Sequence, residues 1–191
     1  MRLNQNKEFE LRGVNHLALV CRDMKRTVDF YSGLLGMPLV KTIELPDGRG
    51  QHFFFDIGNG DSLAFFWFPD APAAAPGIAS PEPSGLDLRT AHGSMNHVAF
   101  DVSPEKIDEY RDRIEAKGIR VTQVVNHDDT AAQTSPEVGE TTFVRSIYFF
   151  DPDGILLEFA AWQRELGDDD VRHAPATEAD ADRYLVLRDG D

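Results

Sequence analysis

The sequence predicts an α+β fold made of two paired βαβββ modules. The first observation is an internal repeat, in which residues 14–20 (VNHLALV) return as residues 95–101 (MNHVAFD). The second is that each copy is followed by a segment with helical spacing of apolar residues and then a glycine. The third is that each half closes on two aromatic and branched runs around a turn, which is typical of a β-hairpin. One module cannot cover both faces of its own sheet, so the two are expected to share one core.

The first module, residues 11–68, is predicted to contain one helix and four strands. The helix is indicated by Val28, Tyr31 and Leu35, which recur at spacings of three and four. Asp23 is a suitable N-cap, and Gly36 is expected to end the helix. The predicted elements are a strand at 14–20, a helix at 23–35, and strands at 37–45, 53–56 and 62–67.

The second module, residues 94–162, is predicted to repeat this order. Ile107, Tyr110 and Ile114 have the spacing of one helix face. Ser103 and Pro104 are typical of a helix start, and a glycine follows the predicted helix end. The predicted elements are a strand at 95–101, a helix at 104–117, and strands at 119–126, 148–151 and 155–160.

Two segments lie outside the repeat. Residues 69–93 contain five prolines and are predicted to form neither a long helix nor a sheet, which is typical of a lid or a linker. The tail, residues 163–191, is acidic and is expected to be solvated, although its apolar run at 184–187 could dock on the body or on a second subunit. Residues 1–162 are therefore predicted to form a single bimodular domain.

The composition favours a small molecule or another protein as partner, with no nucleic acid and no membrane. The 191 residues carry a formal net charge of −14, with a pI near 4.7, which disfavours contact with a phosphate backbone. No apolar stretch approaches the roughly 20 residues of a membrane span, and the first residues show no secretory signal. The one cysteine, Cys21, cannot form an intramolecular disulfide, which agrees with a reducing compartment. We therefore expect a cytoplasmic protein.

A resemblance to a known family follows from the repeat and its histidines. His16 and His97 lie in the first strand of each half, and the second half closes on DPDGILLEF at residues 151–159. This pattern resembles the vicinal oxygen chelate superfamily, which includes glyoxalase I, extradiol dioxygenases, fosfomycin-resistance transferases and metal-free bleomycin-binding proteins. The resemblance covers about residues 13–162. It implies that the two modules form a curved mixed sheet around a central metal-site cavity, and it makes a homodimer one option.

The resemblance also implies four ligand positions, one in the first and one in the last strand of each module. They correspond to His16, Ala64, His97 and Glu158, because aligning the turn glycines of the two hairpins places Ala64 opposite Glu158. Alanine cannot bind a metal, so two histidines and one glutamate remain. This set suits one Fe(II) ion with open positions for substrate and oxygen, and Mn(II) and Zn(II) also accept such ligands.

Two further residues are candidates for proton transfer. Extradiol dioxygenases carry an active-site tyrosine on the strand before the glutamate strand, and the resemblance assigns this position to Tyr148. For the acid or base we propose His52, because strand alternation places it on the face of Phe54, the counterpart of Tyr148. His92 and His127 are competing candidates, although the surroundings of His127 favour a turn.

The same alternation indicates an apolar cavity. If Ala64 faces the metal, Phe66 lies on the same face of its strand and lines the substrate cavity, into which Phe54 and His52 are also expected to point. Aromatic walls over an open metal site suit a planar aromatic or other apolar substrate. Simple core packing is the competing interpretation of these phenylalanines.

Three functions are open at this point. The favoured one is a metal-dependent dioxygenase of the extradiol type, acting on a small aromatic or apolar substrate chelated through vicinal oxygens. The second is a glyoxalase-like isomerase or lyase that works through a metal-bound enediolate, against which Ala64 argues. The third is a non-enzymatic binding protein similar to those for bleomycin, which the intact set of two histidines and a glutamate disfavours.

Overall fold

The first module is a four-stranded sheet covered by one helix. The computed structural model describes residues 8, 11–83, 87–167, 170 and 173–189 of the chain. The sheet order is β1-β4-β3-β2, with β1 parallel to β4 and the other neighbours antiparallel. The elements are β1 (His16–Val20), α1 (Met24–Val28) with a π-helical continuation (Asp29–Leu34), β2 (Leu39–Leu45), a 3₁₀ turn (Pro46–Gly48), β3 (Gly50–Gly58) and β4 (Asp61–Trp67).

The second module repeats this topology with one additional short strand. Its sheet order is β5-β9-β8-β6-β7, and β5 is again parallel to the last long strand, β9. The elements are β5 (Val98–Asp101), a 3₁₀ turn (Pro104–Lys106), α2 (Ile107–Ala116), β6 (Val125–Asp128), β7 (Thr134–Ser135), β8 (Thr142–Phe150) and β9 (Leu156–Trp162). The predicted α+β fold of two βαβββ modules is confirmed, with one sheet in each module.

The helix start in the first module follows from its cap. The Asp23 side chain accepts a hydrogen bond from the backbone N–H of Arg26 at 3.0 Å, which satisfies a donor that the first turn leaves unpaired. Met24 and Thr27 then point inward and are buried. The predicted N-cap at Asp23 is therefore confirmed.

Both modules contribute to one hydrophobic core. Tyr31 is fully buried between module 1 rings, with its ring centre 5.7 Å from that of Phe55 and 4.8 Å from that of Phe65. Its hydroxyl donates to Asp151 of the second module at 3.1 Å. Phe149 and Leu157 of the second module belong to the same buried cluster. The predicted shared core is thus confirmed, and each sheet packs against this core with one of its two faces.

Strand alternation places a different set of residues on the other face of each sheet. In β3 and β4, Phe54 pairs with Ala64, and in β8 and β9, Tyr148 pairs with Glu158. These residues alternate with Phe55, Leu63, Phe149 and Leu157, which lie in the core. The opposite faces, here called the site faces, therefore point away from the shared core.

The segment after α2 differs from its prediction. A strand is predicted at 119–126, but β6 covers Val125–Asp128, and before it only Val121 forms an isolated bridge, to Phe149. The prediction of a turn at His127 is wrong, because His127 pairs with Val144 of β8 inside the sheet. Tertiary pairing with the long strand β8 outweighs the local turn preference of the Asn-His-Asp-Asp sequence.

The insert and the tail have little regular structure. Within the described parts of residues 69–93, the backbone forms turns and one isolated bridge between Pro76 and Ser80, as predicted. The tail contains a 3₁₀ turn (Glu178–Asp180) and α3 (Ala181–Asp189), which the sequence did not predict. Tyr184 and Leu185 of its apolar run are exposed, and the side chains of residues 186 and 187 lie outside the described part. No helix among the described residues is long and apolar enough to cross a membrane.

Candidate metal centre

Four side chains of the second module form one hydrogen-bonded series on its site face. His97 Nε2 lies 3.0 Å from Glu158 Oε2, and the Tyr148 hydroxyl donates to Glu158 Oε1 at 3.1 Å. His127 Nε2 lies 3.0 Å from the same Tyr148 hydroxyl. Glu158 is buried, with its side chain 8% exposed, so this carboxylate depends on its partners for solvation.

The direction of each bond follows from what the groups can donate. Burial acts to raise the Glu158 pKa, but the hydrogen bonds from His97 and Tyr148 oppose it, and the pKa falls below its ordinary value. Glu158 is therefore a carboxylate that only accepts, and Tyr148 must donate its single proton to it. His127 Nε2 is consequently the donor to the Tyr148 oxygen.

The pKa values of Tyr148 and His97 respond to the same carboxylate. Burial and the nearby Glu158 charge raise the Tyr148 pKa well above its ordinary value. The phenol is therefore protonated at neutral pH and is a hydrogen-bond donor rather than a base. The hydrogen bond to Glu158 raises the His97 pKa, although burial opposes it.

Both predicted histidine ligands have the same asparagine neighbour. His97 Nδ1 lies 2.7 Å from Asn96 Oδ1, and His16 Nδ1 lies 2.8 Å from Asn15 Oδ1. An amide oxygen only accepts, so each Nδ1 carries a proton. Nε2, which in His97 donates to Glu158, is then the nitrogen at which a metal could replace a proton. This arrangement is the one that metal-ligating histidines commonly have.

His16 lies in a separate aromatic cluster on the site face of the first module. Its ring is 5.6 Å from that of Phe54, and His52 lies 4.3 Å from Phe54 and stacks on Phe66 at 3.6 Å. The predicted shared face of His52, Phe54 and Phe66 is confirmed. Burial and the neighbouring His16 lower the His52 pKa, and His52 Nε2 is buried without a hydrogen-bond partner among the described residues.

The structure brings together only part of the predicted ligand set. His97 and Glu158 are in direct contact, with Tyr148 beside them. His16 is not grouped with them, because the described residues contain no cluster of three His, Cys, Asp or Glu side chains that could hold a metal ion. Ala64 faces Phe54 across β3 and β4, at the position equivalent to Glu158.

The sequence did not predict the position of His127 in the sheet. Its neighbour Asp128 is buried and accepts hydrogen bonds at 2.9 to 3.2 Å from four donors on the adjoining turn and strands, namely the Thr130 N–H and the hydroxyls of Ser135, Thr141 and Thr142. The facing strand β8 has a β-bulge at Phe143, because His127 pairs with Val144 and the next residue, Asp128, pairs with Thr142. These anchors hold His127 on the site face. The other candidate, His92, and the tail residue His173 are exposed.

Known proteins with similar sequences have several different activities. YwkD, an uncharacterized protein of Bacillus subtilis, is 25% identical over 148 residues, covering 78% of this chain and 95% of YwkD. The putative ring-cleaving dioxygenase MhqE of the same organism is 26% identical over 119 residues, covering 60% of this chain but 35% of MhqE. A lactoylglutathione lyase of Neisseria meningitidis is 26% identical over 170 residues, covering 84% and 97%.

Solved structures agree with the fold. The crystal structure of SMU.1112c has a TM-score of 0.55 and 28% identity, covering 78% of this chain and 98% of that one. A mutant of the fosfomycin resistance protein FosX of Listeria monocytogenes, crystallised with Mn(II) and 1S,2S-dihydroxypropylphosphonic acid, has a TM-score of 0.52 and 22% identity, covering 82% and 95%. A family model matches residues 13–159, which span both modules. The chain therefore belongs to the Glyoxalase/Bleomycin resistance protein/Dioxygenase superfamily.

Proposed function

We propose that the protein is a metal-dependent dioxygenase of the extradiol type, acting on a small aromatic substrate that is chelated through vicinal oxygens. The observation that carries this proposal is the hydrogen-bonded series from His97 through Glu158 and Tyr148 to His127. It joins two candidate metal ligands to a phenol and an imidazole that can exchange protons with a substrate. The similarity to a putative ring-cleaving dioxygenase supports this reaction class.

His16, His97 and Glu158 are the proposed ligands of one divalent metal, with Fe(II) as the favoured ion and Mn(II) or Zn(II) as alternatives. Their chemistry fits, because each imidazole uses Nδ1 for its asparagine contact, and His97 directs Nε2 at the buried Glu158 carboxylate, where a metal could replace the shared proton. The Mn(II) in FosX supports a divalent metal in this fold. A metal bound there would supply Lewis acidity that lowers the pKa values of the substrate oxygens.

Two copies of the chain are proposed to assemble each site. β1, which begins at His16, and β5, which His97 directly precedes, are both outermost strands of their sheets. His16, Ala18 and Ala99 are exposed along them. Because the two site faces of one chain point away from the shared core, a symmetric pair can place the first module of one copy against the second module of the other. Each pair would contain two identical sites.

The proton-transfer groups come from the second module. Tyr148 keeps its proton at neutral pH, so its O–H is available to a substrate oxygen that carries negative charge. His127 donates a hydrogen bond to the Tyr148 oxygen. This bond would stabilise the phenol oxygen when Tyr148 shares its own proton with the substrate. We assign the acid and base role to His127, because its imidazole is the proton-transfer group in direct hydrogen-bond contact with the Tyr148 hydroxyl.

The aromatic half of the proposed cavity comes from the first module. Phe66 stacks on His52, and Phe68 lies parallel to Phe66 with ring centres 5.4 Å apart. These faces and Phe54 suit a planar ring. The lowered pKa of His52 keeps its imidazole neutral, and its unpartnered Nε2 can pair with a polar substituent on the substrate. His52 is thus assigned to substrate binding rather than proton transfer.

Oxygen uptake tests the reaction. The protein is reconstituted anaerobically with Fe(II), and oxygen consumption is measured with a panel of catechols. We expect uptake with at least one catechol and formation of a ring-opened product. A uniformly negative panel with metal-loaded protein would contradict the dioxygenase proposal and favour the isomerase alternative.

Subunit mixing tests the shared site. His16→Ala and Glu158→Ala chains are each expected to be inactive, because every site then lacks one ligand. Random pairing of the two restores about one quarter of the native sites, since half of the pairs are mixed and each mixed pair has one complete site. Glu158→Ala mixed with His97→Ala is the matched control, which restores none because both residues come from the same module. Equal recovery in both mixtures would contradict the shared site.

A further inference from the structure

In the part of the proline-rich insert that the structure describes, residues 88–90 contact Asn96, the neighbour of the proposed ligand His97. The Asn96 side-chain amide donates through Nδ2 to the carbonyl oxygen of Leu88, and Nδ2 lies 3.4 Å from the Thr90 hydroxyl. The Oδ1 atom of the same amide lies 2.7 Å from His97 Nδ1. Asn96 therefore connects residues 88–90 of the insert to a proposed metal ligand.

This geometry allows only one direction for the amide. A backbone carbonyl oxygen accepts but never donates, so the NH₂ end of Asn96 must face Leu88. The oxygen end must then face His97, and an amide oxygen also only accepts. His97 Nδ1 therefore has to carry the proton of this bond. Nε2 lies 3.0 Å from the Glu158 carboxylate and is the nitrogen at which a metal could replace a proton.

The Leu88 carbonyl is itself held in place by a local turn. Asp87 Oδ1 accepts from the backbone N–H of Arg89 at 3.0 Å and from its side-chain Nε at 2.8 Å. This is the pattern by which an aspartate closes a tight turn on the residues that follow it. Leu88 lies between the two bonded residues, so the turn sets the direction of its carbonyl.

We propose that Asn96 is a positioning residue, through which the Asp87–Arg89 turn of the insert fixes the tautomer and ring orientation of His97 for metal binding. The metal part of this inference rests on the proposed function, whereas the tautomer is a property of the metal-free protein. Groups that orient a ligating histidine commonly contribute about 10- to 100-fold in metal affinity. The insert would then be part of the metal centre and not only a linker.

The first module provides a matched comparison. Asn15 has the same contact with His16 that Asn96 has with His97. Asn96→Ala and Asn15→Ala are therefore equivalent truncations at the two halves of the proposed site. Asp87→Ala loosens the turn without touching either histidine. Circular dichroism and thermal unfolding of each variant establish that it is folded.

Two measurements test the inference. Long-range ¹H–¹⁵N correlation spectra of the metal-free protein, with the His97 signals assigned from His97→Gln, report whether Nδ1, Nε2 or both nitrogens of the ring are protonated. Titration with Mn(II) reports affinity. We expect a proton on Nδ1 of His97 in the native protein and in Asn15→Ala. In Asn96→Ala we expect that proton to be lost, while Glu158 still holds a proton on Nε2. Mn(II) affinity is expected to fall about 10- to 100-fold in Asn96→Ala and to fall measurably in Asp87→Ala.

The outcomes separate this inference from the proposed function. An unchanged His97 tautomer in Asn96→Ala overturns the role of Asn96. The role of the insert is overturned if Asp87→Ala changes neither the protonation of His97 nor the Mn(II) affinity, although Asn96→Ala changes the protonation of His97. If the native protein does not bind Mn(II), the metal part fails together with the proposed function, and the spectra still decide whether Asn96 sets the tautomer.

Discussion

Tyr148 and Glu158 face each other on the antiparallel strands β8 and β9, and the phenol donates to the carboxylate across 3.1 Å. The equivalent pair in the first module is Phe54 and Ala64, which can make no such bond. At these equivalent positions the second module therefore has polar, hydrogen-bonding side chains, and the first module has apolar side chains. A substrate that contacts both would meet proton donors on one side and ring faces on the other.

Tyr148→Phe should lower turnover without removing the metal ligands. The substitution deletes the hydroxyl that donates to Glu158 and keeps the ring, so packing is preserved. We expect kcat for oxygen uptake to fall about 100-fold, with little change in Mn(II) affinity. Steady-state kinetics and Mn(II) titration measure the two effects. A variant with native kcat would show that the phenol takes no part in the reaction.

His127→Gln and His52→Gln should affect different kinetic constants. His127 contacts Tyr148, so its loss is expected to lower kcat by about 10- to 100-fold. His52 stacks on Phe66 in the aromatic cluster, so its loss should mainly raise KM. A full kinetic comparison of the two variants distinguishes these roles. The reverse pattern, with kcat lowered only by the His52 substitution, would return the acid and base role to His52.

Asp151 should make the stability of the protein depend on pH. Burial raises its pKa to about 6 from the ordinary 3.8, although hydrogen bonds from Ile155, Asp153 and Tyr31 oppose the shift. The folded protein thus binds this proton more tightly than the unfolded chain does. The stabilisation is complete below about pH 4 and is lost as the pH rises through about 6, a difference on the order of 3 kcal/mol.

Asp151→Asn is expected to remove this pH dependence. The amide oxygen can still accept from the Ile155 and Asp153 N–H groups, and its NH₂ can donate to the Tyr31 oxygen. Urea unfolding at pH 4.5 and pH 7.5 measures the free energy of unfolding of both proteins. The native protein should lose stability between these values by more than the variant. Identical losses would show that Asp151 titrates normally in the folded state.

Gly50→Ala should destabilise the first sheet. A Cβ atom at Gly50 would lie 1.9 Å from the Trp67 carbonyl oxygen, and the backbone has φ +139°, which favours glycine. We expect a loss of at least about 3 kcal/mol in the free energy of unfolding. Gly33→Ala is the control, since no atom lies within 4 Å of its added Cβ, and its effect should stay within about 1 kcal/mol. Similar effects of the two substitutions would contradict the close approach of β3 and β4.

The sequence predicted those parts of the site that depend on a local repeat. Aligning the turn glycines gave Phe54 the position of Tyr148 and Ala64 the position of Glu158. The strand registers confirm both correspondences, because Tyr148 pairs with Glu158 as Phe54 pairs with Ala64. Such pairing follows from hairpin geometry, which acts over a few residues. Strand alternation likewise predicted that His52 lies on the face of Phe54, as the structure shows.

The parts that the sequence did not predict depend on long-range contacts. The His127 segment has the composition of a turn, but it pairs with β8 and is held by the hydrogen bonds to Asp128. The sequence contained one indication of a strand, because Val125 and His127 alternate with the polar Asn126 and Asp128. The separation of His16 from His97 depends on how the two modules pack, which the repeat alone does not specify.

Metal binding by the native protein and by Glu158→Gln tests the central claim most directly. Both proteins are loaded anaerobically with Fe(II) or Mn(II), freed of excess metal and analysed for metal content. We predict one divalent ion per chain in the native protein and a loss of most of it in Glu158→Gln, because the amide cannot replace the buried carboxylate as a charged ligand. A native protein without stoichiometric metal, or a Glu158→Gln protein that retains it, would contradict a centre built on His16, His97 and Glu158.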